Sequence, residues 1–184
     1  MRKRSILAVG ILALLLTACG TTGDKSTAST NEADDTVISD VSETDDDTEI
    51  GKYEDGTYPE YSGTKLKLTV DGEEVIIAMY DNTAADALLE RLPMENLSFY
   101  DLSGIEKPIE QLEEPLSLGD EEPGYDPVTG EMVIYRPWGN FTIFYGDFRY
   151  SDELVPLGKV ESGLDVLSSQ TEDFTGILEI LDND

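Results

Sequence analysis

From about residue 64 to residue 181 the sequence predicts a mainly β domain, a small barrel or sandwich with one main helix. Three observations carry that prediction. Leu66, Leu68 and Val70 alternate with polar residues at the two-residue period of a half-buried strand. Asp71-Gly72 follows at once, a dipeptide suited to a two-residue hairpin turn. Only one sizeable stretch has the 3.6-residue period of a helix, which leaves seven or so strands to fill about 118 residues.

Each element has its own signal. Residues 74–80 supply the return strand of the hairpin. Asp81-Asn82-Thr83 can cap a helix over residues 84–91, in which Ala85, Leu88, Leu89 and Leu92 fall on one face and Pro93 ends the run. Residues 96–102 read as a strand. Residues 103–130 hold four prolines and four glycines and read as a long irregular segment. A strand over 131–135, a turn at Pro137-Trp138-Gly139-Asn140 and a strongly β-prone strand over 141–148 come next. Residues 156–160 form a short strand, 163–168 a short helix and 174–181 a final strand. A domain of this size buries roughly two thirds of its unfolded surface and needs no disulfide.

The chain before this domain is of a different kind. Arg2, Lys3 and Arg4 precede an apolar run of about eleven residues, 6–16, the length of a signal-peptide core and too short to span a bilayer. The run ends in Leu16-Thr17-Ala18-Cys19, which resembles the lipobox of bacterial lipoprotein precursors. The resemblance implies cleavage of residues 1–18 as a signal peptide, lipidation of the Cys19 thiol, and a protein held outside the cytoplasm on the cell membrane. Buried acyl methylenes contribute about 0.8 kcal/mol each, so the lipid suffices as an anchor. Residues 20–50 contain eleven Ser/Thr, ten Asp/Glu and no aromatic residue. Such a segment cannot offset its ordering entropy and is expected to be a disordered, extended linker spanning on the order of 30 Å. Residues 51–63, with Tyr53, Tyr58 and Tyr61, are the lead-in to the folded domain at 64–182.

Composition excludes much chemistry. The 184 residues include 40 acidic and 12 basic ones, for a net charge of −28, with one cysteine, one tryptophan and no histidine. There is no imidazole base, no Ser-His-Asp or Cys-His pair and no usual zinc ligand set. A single cysteine makes neither an internal disulfide nor a CxxC pair. The charge repels phosphate backbones, so nucleic acid is not an expected partner. Asp45-Asp46-Asp47 lacks the alternating ligands of a calcium loop and reads as a solvated charge run. No Gly-rich phosphate loop or dinucleotide fingerprint is present, so neither a metal nor a cofactor is expected.

The order of elements carries a more specific resemblance. The hairpin, Asp81-Asn82-Thr83-Ala84 with Leu92-Pro93, the Pro-rich loop opening at Glu106-Lys107, the block from Tyr135 to Phe148 and the late Leu157-Gly158 resemble the bacterial cyclophilin-like domain family. The resemblance implies a closed cyclophilin-like β-barrel of eight strands with helices capping its ends. True cyclophilins isomerise prolyl peptides with a catalytic arginine beside a Phe-x-x-Gln stretch, a tryptophan and a histidine. This chain has no histidine and no Phe-x-x-Gln, so no catalytic role carries over to any residue. Some relatives are associated with flavodoxin-like proteins, but no residue here argues for a flavin.

The candidate ligand residues are Arg136, Trp138, Tyr145, Phe148 and Arg149, with Asn140 and Tyr150 beside them. Two arginines among aromatics in an acidic domain can orient a carboxylate or a peptide carbonyl. The plainer alternative is that the aromatics pack in the sheet and the arginines form surface ion pairs. The expectation is a non-catalytic module for an unknown peptide, protein or small ligand. The alternative is a divergent prolyl isomerase acting on exported proteins.

Overall fold

The computed structural model describes residues 49–182. Leu16, Thr17, Ala18, Cys19 and all but the last two residues of the acidic linker lie outside the described residues. Ten strands and two helices follow in the order β1 (Lys52–Tyr53), β2 (Tyr61–Val70), β3 (Glu73–Tyr80), α1 (Thr83–Leu89), β4 (Met94–Phe99), β5 (Glu106–Pro108), β6 (Tyr125–Asp126), β7 (Glu131–Tyr135), β8 (Asn140–Phe144), β9 (Leu154–Ser162), α2 (Leu164–Ser168) and β10 (Phe174–Ile180).

Eight strands form one antiparallel sheet in the order β4-β10-β2-β3-β9-β7-β8-β5. Its two edges meet. Phe99 bridges Ile109, the Glu110 amide donates to the Ser98 carbonyl at 2.8 Å, and the Tyr100 amide donates to the Pro108 carbonyl at 3.2 Å. Curling the sheet until β4 reaches β5 satisfies the edge groups that an open sheet would expose. The result is the eight-stranded barrel with one main and one short helix that the sequence led us to expect.

Alternation fills the barrel. Leu66, Leu68, Val70, Val75, Ile77, Met79, Phe99, Met132, Ile134, Phe141, Ile143, Val155, Leu157 and Leu178 are all fully buried in one cluster. The β2–β3 turn places Asp71 at φ 52° and Gly72 at φ 87°, so both central residues adopt the left-handed conformation that a tight hairpin requires. Asn82 caps α1 by accepting from the Ala85 amide at 2.8 Å, and its own amide nitrogen donates to the Pro156 carbonyl at 2.9 Å. The second bond docks α1 against β9, and Ala84, Ala85 and Leu88 join the core.

The structure departs from the sequence expectation in four stretches. The irregular segment 103–130 contains β5 and β6, and β5 is an edge of the barrel. The strand expected to reach residue 148 ends at Phe144, because the amides of Tyr145 and Gly146 both turn to the Ile105 carbonyl. The strand expected over 156–160 runs from Leu154 to Ser162. The lead-in carries β1, which pairs with β6 to make a separate two-stranded ribbon over the outside of the barrel.

Beneath that ribbon Glu131 is completely buried. Its Oε1 accepts from the Gly51 amide at 3.0 Å, the Tyr80 hydroxyl at 2.6 Å and the Tyr125 hydroxyl at 2.8 Å, and its Oε2 accepts from the Val128 amide at 3.1 Å. Four donors on one acceptor-only group make a latch between β1, β3, β6 and β7. Burial first, and then the Glu131 charge, push both phenols far above their ordinary value.

Candidate functional site

Antiparallel register brings a set of side chains onto the outer face of the barrel. Glu106 lies opposite Phe144, Pro108 opposite Thr142, and Tyr135 opposite Asn140. Opposed residues share a face, so these six stand together while Phe141 and Ile143 point into the core. Leu102, Trp138, Phe148, Ser151 and Leu154 complete a cleft of about 200 Å³. Its walls are aromatic. Phe148 stacks on Phe144 with ring centroids 4.9 Å apart, and Trp138, 44% exposed, stands edge-on to Tyr135 at 5.1 Å.

The floor is polar and incompletely partnered. Asn140 Nδ2 donates to the Ile109 carbonyl at 2.6 Å, which fixes the amide orientation and leaves Oδ1 as the free end. Asn140 and Thr142 are almost wholly buried, yet Asn140 Oδ1 and Thr142 Oγ1 have no hydrogen-bond partner. Buried polar atoms without partners are rare in folded proteins and cost about 1–3 kcal/mol each. Glu106 stands beside them. Burial raises its pKa above the ordinary 4.5, and the neighbouring Thr142 hydroxyl opposes that rise, although it lacks the geometry of a hydrogen bond. Asn140, Thr142 and Glu106 therefore bring oxygen atoms to an aromatic cleft that also includes Tyr135 and Ser151 and has no basic residue in its lining.

Of the residues singled out from the sequence, Trp138 and Phe148 line this cleft, as does Asn140. Arg136 is exposed and turned to Glu153, with Nε 2.7 Å and an Nη 2.5 Å from one carboxylate oxygen. Arg149 lies over the Phe148 ring at 5.6 Å. Tyr145 belongs to another cluster. Its hydroxyl donates to Asp101, which pushes the phenol up to about 12, and its ring sits 4.7 Å from the buried Lys107 ammonium. Lys107 in turn donates to Asp101 at 2.8 Å and to the Gln170 carbonyl at 2.5 Å. Tyr150 stands next to Gly124, on the β6 side of the barrel. Glu106, Thr142 and Tyr135 were not singled out from the sequence. Only the β5–β8–β7 register brings them together.

A larger cavity of about 660 Å³ lies on the other side of Phe148, lined by residues 49–52, 126–129, Tyr58, Asp147 and Lys159. Several of its polar groups are already engaged. Lys159 donates to the Glu49 carbonyl and, at 3.1 Å, to the Thr129 carbonyl, and burial lowers its pKa. Lys52 lies 3.9 Å from Asp126. Volume favours this cavity, but unpartnered buried polar atoms favour the smaller cleft, and the second criterion is the one that points to a ligand. Among the described residues no cluster of three or more acidic or cysteine side chains is arranged to hold a metal.

The fold is an eight-stranded antiparallel β-barrel with an aromatic cleft on its outer face. Residues 68–179, more than half of the chain, match the model of the cyclophilin-like family, and the chain belongs to that family. Among solved structures it is similar to a hypothetical protein from Archaeoglobus fulgidus, determined in solution. The TM-score is 0.52 at 14% identity, covering 66% of this chain and 98% of that one. At that identity the likeness concerns the fold alone. No curated protein matches the chain.

Proposed function

We propose that this protein is an exported lipoprotein, anchored through Cys19, that displays its barrel on the acidic linker as a non-catalytic binding module. The lipobox Leu16-Thr17-Ala18-Cys19 and the charged, apolar leader support the anchor. With residues 1–18 removed, nine basic residues face forty acidic ones, so tethering rests on the lipid and not on attraction to anionic headgroups.

The observation that carries the binding role is the pair of unpartnered buried atoms, Asn140 Oδ1 and Thr142 Oγ1, on the floor of an aromatic cleft. The arrangement speaks against prolyl isomerisation. That chemistry needs a donor aimed at the prolyl nitrogen, whereas the cleft lining has no arginine or lysine and Arg136 is engaged by Glu153. In a protease-coupled isomerase assay with a true cyclophilin as control, the purified protein should stay at the uncatalysed rate. Turnover well above that rate, lost on Arg136→Ala or Arg149→Ala, would replace this reading with the enzymatic one. For the anchor, labelled palmitate should be incorporated into the wild-type protein and not into Cys19→Ser, and the labelled protein should sediment with membranes.

A further inference from the structure

Resting on the cleft reading above, we infer that the ligand of the outer-face cleft is a primary ammonium carried on a small apolar or aromatic stem. The stem follows from the walls. Tyr135, Trp138, Phe144 and Phe148 present ring faces and edges to a space of about 200 Å³. That is below the roughly 300–1,000 Å³ that drug-sized ligands occupy, so one ring or a short alkyl chain fills it.

The ammonium follows from the floor. Asn140 Oδ1 can only accept, because Nδ2 is committed to the Ile109 carbonyl. Thr142 Oγ1 has lone pairs to offer and no partner, and Glu106 contributes a carboxyl group 38 positions from Phe144 in sequence yet opposite it in the sheet. A ligand carboxylate or phosphate would meet the Asn140 carbonyl oxygen and the Glu106 carboxyl group, with no cation in the lining, which disfavours it. A neutral hydroxyl could satisfy one acceptor. A primary ammonium can donate to Asn140 Oδ1, Thr142 Oγ1 and the Glu106 carboxyl group together, and cationic charge is also attracted to aromatic faces. The excess of acidic over basic residues in the chain, 40 against 12, raises the local concentration of cations and favours the same ligand class.

The sole tryptophan of the chain lines this cleft, so its fluorescence reports on occupancy without a label. The test titrates the detergent-solubilised full chain with benzylammonium, benzyl alcohol, benzyltrimethylammonium, benzoate and Nα-acetyl-lysine methylamide, following Trp138 emission and melting temperature together. Benzylammonium should bind at least tenfold more tightly than benzyl alcohol or benzyltrimethylammonium, the ratio expected for one good charge-assisted hydrogen bond. Benzoate should not bind. Whether benzylammonium or the lysine derivative binds more tightly distinguishes a free amine from a lysine side chain as the source of the ammonium.

Glu106→Gln should weaken benzylammonium about tenfold and leave benzyl alcohol unchanged. Thr142→Val, which replaces an unpartnered hydroxyl by a methyl of the same shape, should weaken it by a smaller factor without loss of folding. Equal affinity for benzyl alcohol or benzyltrimethylammonium, or binding of benzoate, would overturn the ammonium assignment while leaving the cleft as a binding site. Failure of every probe to move either Trp138 emission or melting temperature would overturn both.

Discussion

Replacing Glu131 by alanine tests how the barrel is joined to the ribbon that covers it. The side chain is wholly buried and accepts four hydrogen bonds, three on Oε1 and one on Oε2. Bonds to a charged group contribute about 1.5–3 kcal/mol each, which for four gives at least ~6 kcal/mol. The charge itself costs several kcal/mol to bury, and water entering the vacated volume can serve some of the donors. A net loss of about 4 kcal/mol remains, at the upper end for a point substitution. For a domain of this length that lowers the melting temperature by roughly 15 °C. Glu131→Gln is the informative companion. Its carbonyl oxygen can still accept from Tyr80, Tyr125 and Gly51, but its NH₂ then faces the Val128 amide, donor against donor. It should lose about 2 kcal/mol. Urea unfolding of both variants, with Tyr125→Phe to complete a double-mutant cycle, supplies the numbers. A loss below about 1 kcal/mol for Glu131→Ala would refute the latch.

Three further substitutions follow from the same physical reasoning. Glu106 has its folded pKa raised by burial, so its contribution to stability is fully present below the ordinary 4.5 and is lost as pH rises through the folded value. Glu106→Gln should therefore melt higher than wild type at pH 7 and equal it near pH 4 in calorimetry; a lower melting temperature at pH 7 would contradict the assignment. Gly158→Ala would put a Cβ 2.4 Å from the Ala78 carbonyl oxygen and 3.1 Å from Met79 Cα, where β9 pairs with β3. Both neighbours are backbone and cannot give way cheaply, so chemical unfolding should show a loss of about 2 kcal/mol or more. Asn82→Ala removes the α1 cap and the bond to the Pro156 carbonyl, and should cost about 2 kcal/mol by the same measurement, with roughly half of that regained in Asn82→Ser.

Local signals in the chain read well where the physics is local. Asp71-Gly72 specifies its hairpin because both residues tolerate positive φ, and Asn82 specifies a helix start because its side chain reaches the Ala85 amide. β5 was not legible, since three residues among prolines and glycines carry no period and become a strand only by meeting β8. The closure of the barrel rests on contacts such as Phe99 with Ile109 that no local pattern encodes. The cleft was half legible. The aromatic turn and hairpin drew attention to Trp138 and Phe148, whereas Glu106 and Thr142 are unremarkable in sequence and gain meaning only from strand register. Tyr145 looked like part of the same aromatic group, but the chain turns at Gly146 and the ring packs over Lys107. Arg136 found its partner 17 positions away in Glu153, one carboxylate among forty, which no count of charges could select.

The most direct test of the central claim is a map of where a ligand touches the barrel. Amide NMR spectra of the ¹⁵N-labelled protein would be recorded as benzylammonium is added, with the Trp138 indole N–H as an internal reporter. The account predicts shifts confined to Glu106–Pro108, Tyr135, Trp138, Asn140–Phe144 and the segment from Phe148 to Leu154, which are the residues that build the cleft. Shifts centred instead on residues 49–52 and 126–129 would place binding in the larger cavity and contradict the account.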